Sequence, residues 1–221
     1  MRECTAIIAA LPREVNALVK GWERREVGPR VFVWTNGSAV VACAGMGVTR
    51  AALACEAAMK AAPVTVLISA GLAGACDAKL RVGDVVRAGT VIDSRTGERF
   101  EGEGECAEVL VTGEGIAGVR EKARLRESYG ATAVDMEAAG VARIARAHRL
   151  KFCAIKAISD EAEFAMEGLE RFATAEGQFR EGAFALHAAI RPWMWGGVIA
   201  LGRNSGKALG MLTEALRAEI D

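Results

Sequence analysis

The sequence has 221 residues, a hydrophobic content of 52% and a formal net charge of zero. A chain of this length and composition is expected to fold as one domain over residues 1–221 with a continuous core. Because 28 Lys and Arg residues balance 28 Asp and Glu residues, the positive field typical of nucleic-acid binding is absent, and we expect no nucleic-acid partner. Six cysteines without a CxxC pair and only two histidines predict a reduced, cytoplasmic protein with no metal site and no cofactor.

Apolar runs alternate with helical patterns through the first half of the chain. In order, these patterns predict a strand at 4–10, a helix that begins at Glu14, hairpin strands at 31–35 and 39–44, a helix at 49–61 and a buried strand at 64–69. Asn36 and Gly37 join the hairpin strands and favour a type I′ turn, in which both residues have positive φ angles. The glycine-rich segments 45–47 and 71–74 are expected to be turns.

The second half continues the alternation. Strands are predicted at 85–92, 109–112, 131–134 and 152–158, helices at 121–129, 136–148, 169–190 and 198–220, and an irregular loop at 93–108. The part of the chain from about residue 191 is expected to add a helical segment to the domain. Strands alternating with helices predict a three-layer α/β/α fold with a central mixed sheet, whose ligands bind beyond the carboxyl ends of the strands.

Three carboxylates stand where such a sheet binds its ligands. Glu14 follows the first strand, Glu137 lies near the start of a helix, and Asp160 follows the last buried strand. Cleavage of a glycosidic bond needs an activated nucleophile on one face of the sugar and a proton for the leaving group, and paired carboxyl groups supply both. The alternative is a structural role, because negative charge in a first helical turn is stabilised by the helix dipole.

Several short strings bear on that choice. Residues 133–139 are Ala-Val-Asp-Met-Glu-Ala-Ala and residues 157–160 are Ala-Ile-Ser-Asp, and further strings at 10–15, 45–47, 69–74 and 80–86 keep the same order. Together they resemble the nucleoside phosphorylase and nucleosidase family, especially the methylthioadenosine/S-adenosylhomocysteine nucleosidases. The resemblance spans about residues 4–190 and implies a nucleoside phosphorylase-like fold, a small-molecule purine nucleoside as substrate, and a homodimer.

The resemblance also implies a role for each carboxylate. Glu14 would position the attacking water, and Glu137 would hold the ribose hydroxyls while Met136 packs on the sugar. Asp160 would protonate the purine at N7, with Ser159 helping to fix the aspartate loop. An aspartate that protonates a base at neutral pH needs a raised pKa or a proton shared through hydrogen bonds.

One departure from the family pattern concerns the nucleophile. Where the family's phosphorylases carry an arginine and a serine for phosphate, the matching positions are Ser69 and Leu72. The substrate-binding segment Gly71, Leu72 and Ala73 therefore offers backbone N–H groups but little charge. We expect hydrolysis rather than phosphorolysis, with a purine nucleoside phosphorylase as the alternative if Arg50 supplies the missing cation.

A second departure concerns the base. Where the nucleosidases stack an aromatic ring on adenine, Ile116 and Ala117 offer aliphatic side chains. This drift, with Leu72, keeps open a catalytically silent nucleoside-binding protein of the same fold, although the retention of all three carboxylates favours an enzyme. A dinucleotide-binding protein is the other alternative, but neither glycine segment completes the GxGxxG pattern.

The tail beyond residue 190 is diffusely similar to the hopanoid-associated branch of the family, whose members remove adenine from an adenosylated polycyclic lipid. Trp193 and Trp195 precede an apolar stretch that could contact a membrane surface or a lipid substrate. Core packing or a subunit interface is the alternative for these tryptophans. The 5′ group of the nucleoside is therefore either small, as in methylthioadenosine, or an adenosylated lipid.

Overall fold

The computed structural model describes residues 4–102, 106–165 and 195–220. The strands and helices in this part of the chain are β1 (Thr5–Ala9), β2 (Glu23–Gly28), β3 (Val31–Thr35), β4 (Ala39–Cys43), α1 (Val48–Ala61), β5 (Val66–Ala75), β6 (Val85–Asp93), β7 (Arg99–Glu101), β8 (Glu108–Thr112), α2 (Val119–Tyr129), β9 (Ala133–Asp135), α3 (Ala138–His148), β10 (Lys151–Asp160) and α4 (Trp195–Arg217). Among these helices, none is long and apolar enough to cross a membrane.

The described strands form one mixed sheet. Their order is β10–β6–β8–β9–β5–β1–β4–β3–β2, and β7 pairs with β6. Because β10 also pairs in parallel with β5, the strands β5, β9, β8, β6 and β10 form a closed barrel within the sheet. Strands β1, β5 and β10 are mutually parallel along this path, so their carboxyl ends meet at one edge of the sheet.

Two apolar cores lie on opposite faces of the sheet. Alternate residues of the strands point to opposite faces, so Ile8 packs with α1 and α3, while its neighbour Ile7 packs with Leu212 of α4. A smaller cluster beneath α2 includes Leu125. Helices therefore flank a mixed sheet, and the predicted α/β fold is confirmed.

The structure differs from the sequence predictions at three places: the helix predicted after β1, the glycine-rich segment 71–74 and the hairpin turn. The chain after β1 forms a 3-10 turn (Pro12–Glu14) and further turns rather than a regular helix. Apolar residues spaced three or four positions apart can be buried by successive turns as well as by a helix, so their spacing did not distinguish the two. The segment 71–74 is not a turn: it lies inside β5, which stays extended because β10 pairs along it. In the hairpin only Gly37 has a positive φ (86°), so the turn is not type I′; Asn36 instead accepts hydrogen bonds from Ser38 and Ala39 through its side chain.

Two strands were not predicted, and one predicted helix cannot be compared. The segments of β2 and β7 are short and charged, and they become strands by pairing with β3 and β6. The C-terminal helix begins at Trp195, three residues before the predicted 198. The helix predicted at 169–190, and Trp193, lie outside the described residues.

Candidate active site

A cavity of about 590 Å³ opens where the carboxyl ends of the parallel strands meet. Glu14 reaches it from the turn after β1, Glu137 from the residue before α3, and Asp160 from the end of β10. The structure thus brings together three carboxylates that are far apart in sequence and that the sequence analysis had singled out.

Most of the remaining predicted site residues line the same cavity. The cavity is also lined by Leu72, Ala73, Ile116, Ala117, Met136 and Ser159. Gly71 is behind the wall, where a Cβ atom would lie 3.1 Å from Oε1 of Glu14, and its φ of +144° is one that side chains rarely adopt.

The two residues considered for phosphate binding lie elsewhere. The hydroxyl of Ser69 is buried inside β5 without a hydrogen-bond partner, and Ser69 does not line the cavity. Arg50 donates to the carbonyl of Ala44 and borders a different groove, between α1 and the β2–β3 hairpin. Neither side chain can therefore hold an anion in the cavity in this arrangement.

Glu14 is a fixed hydrogen-bond acceptor at the edge of the sheet. Its Oε2 accepts from the backbone N–H groups of Ala10 and Leu11, each at 2.9 Å, and its Oε1 accepts from Leu72 N–H at 3.3 Å. Only 8% of the residue is exposed. Three backbone donors hold the carboxyl group in one orientation beside the cavity.

Glu137 is equally buried and is held by backbone groups at the start of α3. Its Oε1 accepts from Gly47 N–H at 2.9 Å and its Oε2 from Met136 N–H at 3.3 Å. Burial raises the pKa of the Glu137 carboxyl to about 7; Lys156 opposes this shift, while the negative charge of Asp135 adds to it.

A buried ion pair supports this part of the site. Nζ of Lys156 lies 2.9 Å from Oδ2 of Asp135 and donates to the carbonyl of Ala70 at 3.2 Å. Oδ2 of Asp135 also accepts from Ala138 N–H at 2.8 Å, and Oδ1 accepts from Thr112 Oγ1 at 2.8 Å. Every polar atom of the Asp135 carboxylate thus has a partner, as a buried charge requires.

The Asp160 carboxylate accepts hydrogen bonds from two side chains. Ser159 Oγ donates to its Oδ1 at 2.7 Å, and the ammonium of Lys122 on α2 pairs with its Oδ2. Lys122 also donates to the carbonyl of Glu161 at 2.8 Å and is only 1% exposed, although Asp160 itself is partly open to the cavity.

Several lining residues were missed by sequence reasoning. Phe164 supplies an aromatic side chain from a segment that the sequence analysis did not consider, and α4 contributes Leu201, Gly202, Ser205, Gly206 and Leu209. Lys156 carried a signal, because a single lysine inside an apolar strand is rarely buried without a partner. Lys122 carried none, since it stands in a helix rich in charge. Among the described residues, no group of three or more His, Cys, Asp or Glu side chains is placed to hold a metal ion.

Comparison with known families identifies the fold. The family model described as the Phosphorylase superfamily matches residues 5–114 and 106–190. The chain belongs to this superfamily. No curated protein sequence matches the chain at a significant level.

Solved structures share the fold of this superfamily member at low identity. A 5′-methylthioadenosine/S-adenosylhomocysteine nucleosidase from Helicobacter pylori superposes with a TM-score of 0.72 and 15% identity, covering 99% of this chain and 97% of the other. The nucleosidase of the same name from Neisseria meningitidis gives 0.72 and 19%, covering 97% and 96%. Futalosine hydrolase of Helicobacter pylori gives 0.63 and 18%, covering 72% and 88%. The superposition that covers 99% of the chain includes α4, whereas the resemblance found in the sequence ended at about residue 190.

Proposed function

We propose that this member of the phosphorylase superfamily hydrolyses the N-glycosidic bond of a purine nucleoside, with adenine as the released base. The observation that carries the proposal is the convergence of Glu14, Glu137 and Asp160 on one cavity from three separate elements. An enzyme that breaks a glycosidic bond needs an acceptor for the proton of water, a group that binds the sugar and a proton donor for the leaving base. The cavity offers a carboxyl group for each task, and its neighbours in fold include two enzymes named as adenosylhomocysteine nucleosidases.

Glu14 is the group proposed to bind and deprotonate the attacking water. Its carboxyl group already accepts from the N–H groups of Ala10, Leu11 and Leu72, which would otherwise be free to bind an anion between the end of β1 and β5. A phosphate ion in this place would lose those donors and meet a negative charge at short range. Water as the nucleophile is therefore favoured over phosphate.

Glu137 and Met136 are proposed to bind the ribose, and Asp160 the purine. The Glu137 carboxyl keeps lone pairs for the sugar hydroxyls, because its backbone donors occupy only part of its capacity. Asp160 is the most open of the three carboxylates and is steadied by Ser159, so it is placed to exchange a proton with N7 of the base. Ile116 and Ala117 would contact the base from the loop before α2.

The wall supplied by α4 is proposed to receive the 5′ group. None of the five residues that α4 contributes to the cavity is charged, and two of them are glycines. An apolar 5′ substituent would lie against such a wall without desolvating a charge. This favours a nucleoside with an alkylthio or longer apolar 5′ group, and the adenosylated lipid of the hopanoid-associated branch belongs to this class.

Other expectations from the sequence remain proposals of the same kind. We propose a cytoplasmic homodimer, with peripheral membrane contact through the C-terminal segment if the substrate is a lipid. The exposed side chain of Ile199 on α4 fits such contact, since 62% of it is accessible to solvent.

Release of free base from a panel of nucleosides tests the proposed reaction. Adenosine, inosine, methylthioadenosine and adenosines with longer 5′ alkylthio groups would be incubated with the purified protein, with and without phosphate. The expected products are the purine and the free sugar, at rates that phosphate does not change. Ribose 1-phosphate as the main product would instead establish a phosphorylase, and tight nucleoside binding without base release would establish a silent binding protein.

A further inference from the structure

The buried ammonium of Lys122 stands directly behind Asp160. Lys122 is 1% exposed, and its hydrogen-bond partners are the Asp160 carboxylate and the carbonyl of Glu161. A buried lysine is costly unless it is paired. In this place it lines the cavity beside the group proposed to protonate the base.

Gly74 in β5 lies against both side chains of the Lys122–Asp160 pair. A Cβ atom on Gly74 would lie 2.9 Å from Asp160 Oδ2 and 2.9 Å from Cε of Lys122. A real Cβ atom essentially never has contacts that short, so a larger residue at this position in β5 would require the Lys122 and Asp160 side chains to shift. The pair is therefore built into the sheet as well as into α2.

Two donors on one carboxylate determine which group carries the proton before reaction. Ser159 and Lys122 both donate to Asp160, and both bonds stabilise the ionised carboxylate. An ionised Asp160 has no proton of its own to give to a purine. The nearest proton on a titratable group is the one on Lys122.

We propose that Lys122 supplies the proton that Asp160 passes to N7 of the leaving base, an inference that rests on the proposed hydrolase function. As the C1′–N9 bond breaks, its electron pair moves to the purine and N7 becomes more basic. Asp160 takes a proton from Lys122, which becomes a neutral amine, and passes that proton to N7. Water adds to C1′ and gives its proton to Glu14, and exchange with solvent then returns both groups to their starting states. Lys122 acts through Asp160 and is a positioning residue for that proton.

Substitution of Lys122 by arginine distinguishes the effect of its positive charge from the effect of the proton that it can release. Lys122→Arg keeps a cation and hydrogen-bond donors beside Asp160, but a guanidinium does not release a proton in proteins. Lys122→Met keeps the length of the side chain and removes both. Because general acid catalysis is worth about 10² to 10⁴-fold, we expect both variants to lower kcat for a purine nucleoside by at least about 100-fold, with KM changed much less for Lys122→Arg.

A substrate that leaves without a proton serves as the internal control. Cleavage of 4-nitrophenyl riboside by the variants should remain near the wild-type rate, since nitrophenolate is a stable anion and Glu14 and Glu137 are untouched. Arg124→Met is the matched control on the same helix, because Arg124 is exposed and, within the described part of the chain, forms its ion pair with Glu121. It should leave kcat for both substrates unchanged.

The purine rates decide the inference. Loss of purine cleavage in both Lys122 variants supports it, as does a Lys122→Met/Asp160→Asn double variant no slower than Asp160→Asn alone, because residues that act as one unit are not additive. Wild-type kcat in Lys122→Arg would overturn it, because charge alone would then suffice. Equal loss of both substrates in both variants would also overturn it. If the wild-type protein releases no base at all, the proposed function fails, and the inference fails with it.

Discussion

Nζ of Lys156 on β10 lies 2.9 Å from Oδ2 of Asp135 at the end of β9, and both side chains are buried. Burial by itself lowers the pKa of a lysine, but the charges of Asp135, Glu137 and Glu14 outweigh it and raise the pKa of Lys156. One ammonium group thus balances three carboxylates, all of which line the cavity. The site therefore depends on a charge that no substrate touches.

Lys156→Met is expected to destabilise the fold strongly, because it leaves Asp135 buried without its cation. Breaking a buried pair by removing one partner costs about 3–5 kcal/mol. Chemical denaturation would measure the loss in the free energy of unfolding. Arg124→Met, which breaks an exposed pair, is the control and should leave stability nearly unchanged. A loss for Lys156→Met no larger than that of the control would mean that the buried carboxylates are compensated in another way.

The raised pKa of Glu137 predicts that this group makes the protein less stable as the pH rises. The folded pKa of about 7 exceeds the ordinary value of 4.5, so the folded state binds more protons than the unfolded state between these values. The free energy of unfolding should then fall from about pH 4.5 to pH 7, by at most about 3 kcal/mol from this group. Glu137→Gln keeps an acceptor for Gly47 N–H and should flatten the dependence. Equal slopes for wild type and variant would contradict the shift.

Asp160→Asn should lower turnover while nucleoside binding persists. The amide oxygen can accept from only one of Lys122 and Ser159, which donate to different oxygens of Asp160, and the amide cannot pass a proton to the base, so kcat should fall by about 10² to 10⁴-fold. Steady-state kinetics with adenosine and binding of the uncleavable analogue 7-deazaadenosine measure the two properties separately. Base release at a near wild-type rate would remove Asp160 from the mechanism.

Glu14→Gln should suppress hydrolysis of every substrate, including 4-nitrophenyl riboside. The amide oxygen cannot take the proton of water, and the amide nitrogen cannot accept from the N–H groups that now orient the carboxylate. A loss of at least about 100-fold in kcat is expected. Cleavage of 4-nitrophenyl riboside distinguishes this variant from Asp160→Asn, because Asp160→Asn should retain that activity. Retention of nitrophenyl riboside cleavage by Glu14→Gln would contradict its assignment to water.

Sequence patterns predicted the strands and helices whose buried residues form a regular apolar pattern along the sequence. Strands such as β1 and β10 are continuous apolar runs because both of their faces are covered, and α3 has an apolar stripe that packs on the sheet. The residues of β2 are almost all exposed, and pairing with β3 rather than burial makes it a strand. Such an edge strand leaves no hydrophobic pattern to find.

The candidate site was predictable only where it follows strand ends. Glu14 and Asp160 come directly after predicted strands, and parallel strands bring their carboxyl ends to one edge. Lys122 joins them because the packing of α2 turns one of its many charged residues inward, next to Gly74. That choice depends on the three-dimensional arrangement of α2 and β5 and has no counterpart in local sequence.

The last prediction concerns the 5′ group and the wall formed by α4. Gly202 and Gly206 line the cavity, whereas Gly210, one turn further along the same helix, does not. A Cβ atom at any of the three would meet open space, so larger side chains can be added without a clash at that atom. Gly206→Leu should therefore fill part of the wall, while Gly210→Leu gains the same helix propensity without changing the cavity.

If α4 receives the 5′ group, Gly206→Leu should raise KM for long apolar 5′ substituents and leave KM for adenosine nearly unchanged. A buried methylene is worth about 0.8 kcal/mol, so each methylene that the leucine excludes should cost roughly fourfold in kcat/KM. Rates for adenosines with 5′ alkylthio groups of increasing length measure this effect, and Gly210→Leu should keep the wild-type preference. Parallel curves for Gly206→Leu and Gly210→Leu would place the 5′ group elsewhere, and a loss confined to adenosine would indicate that α4 contacts the base or the ribose instead.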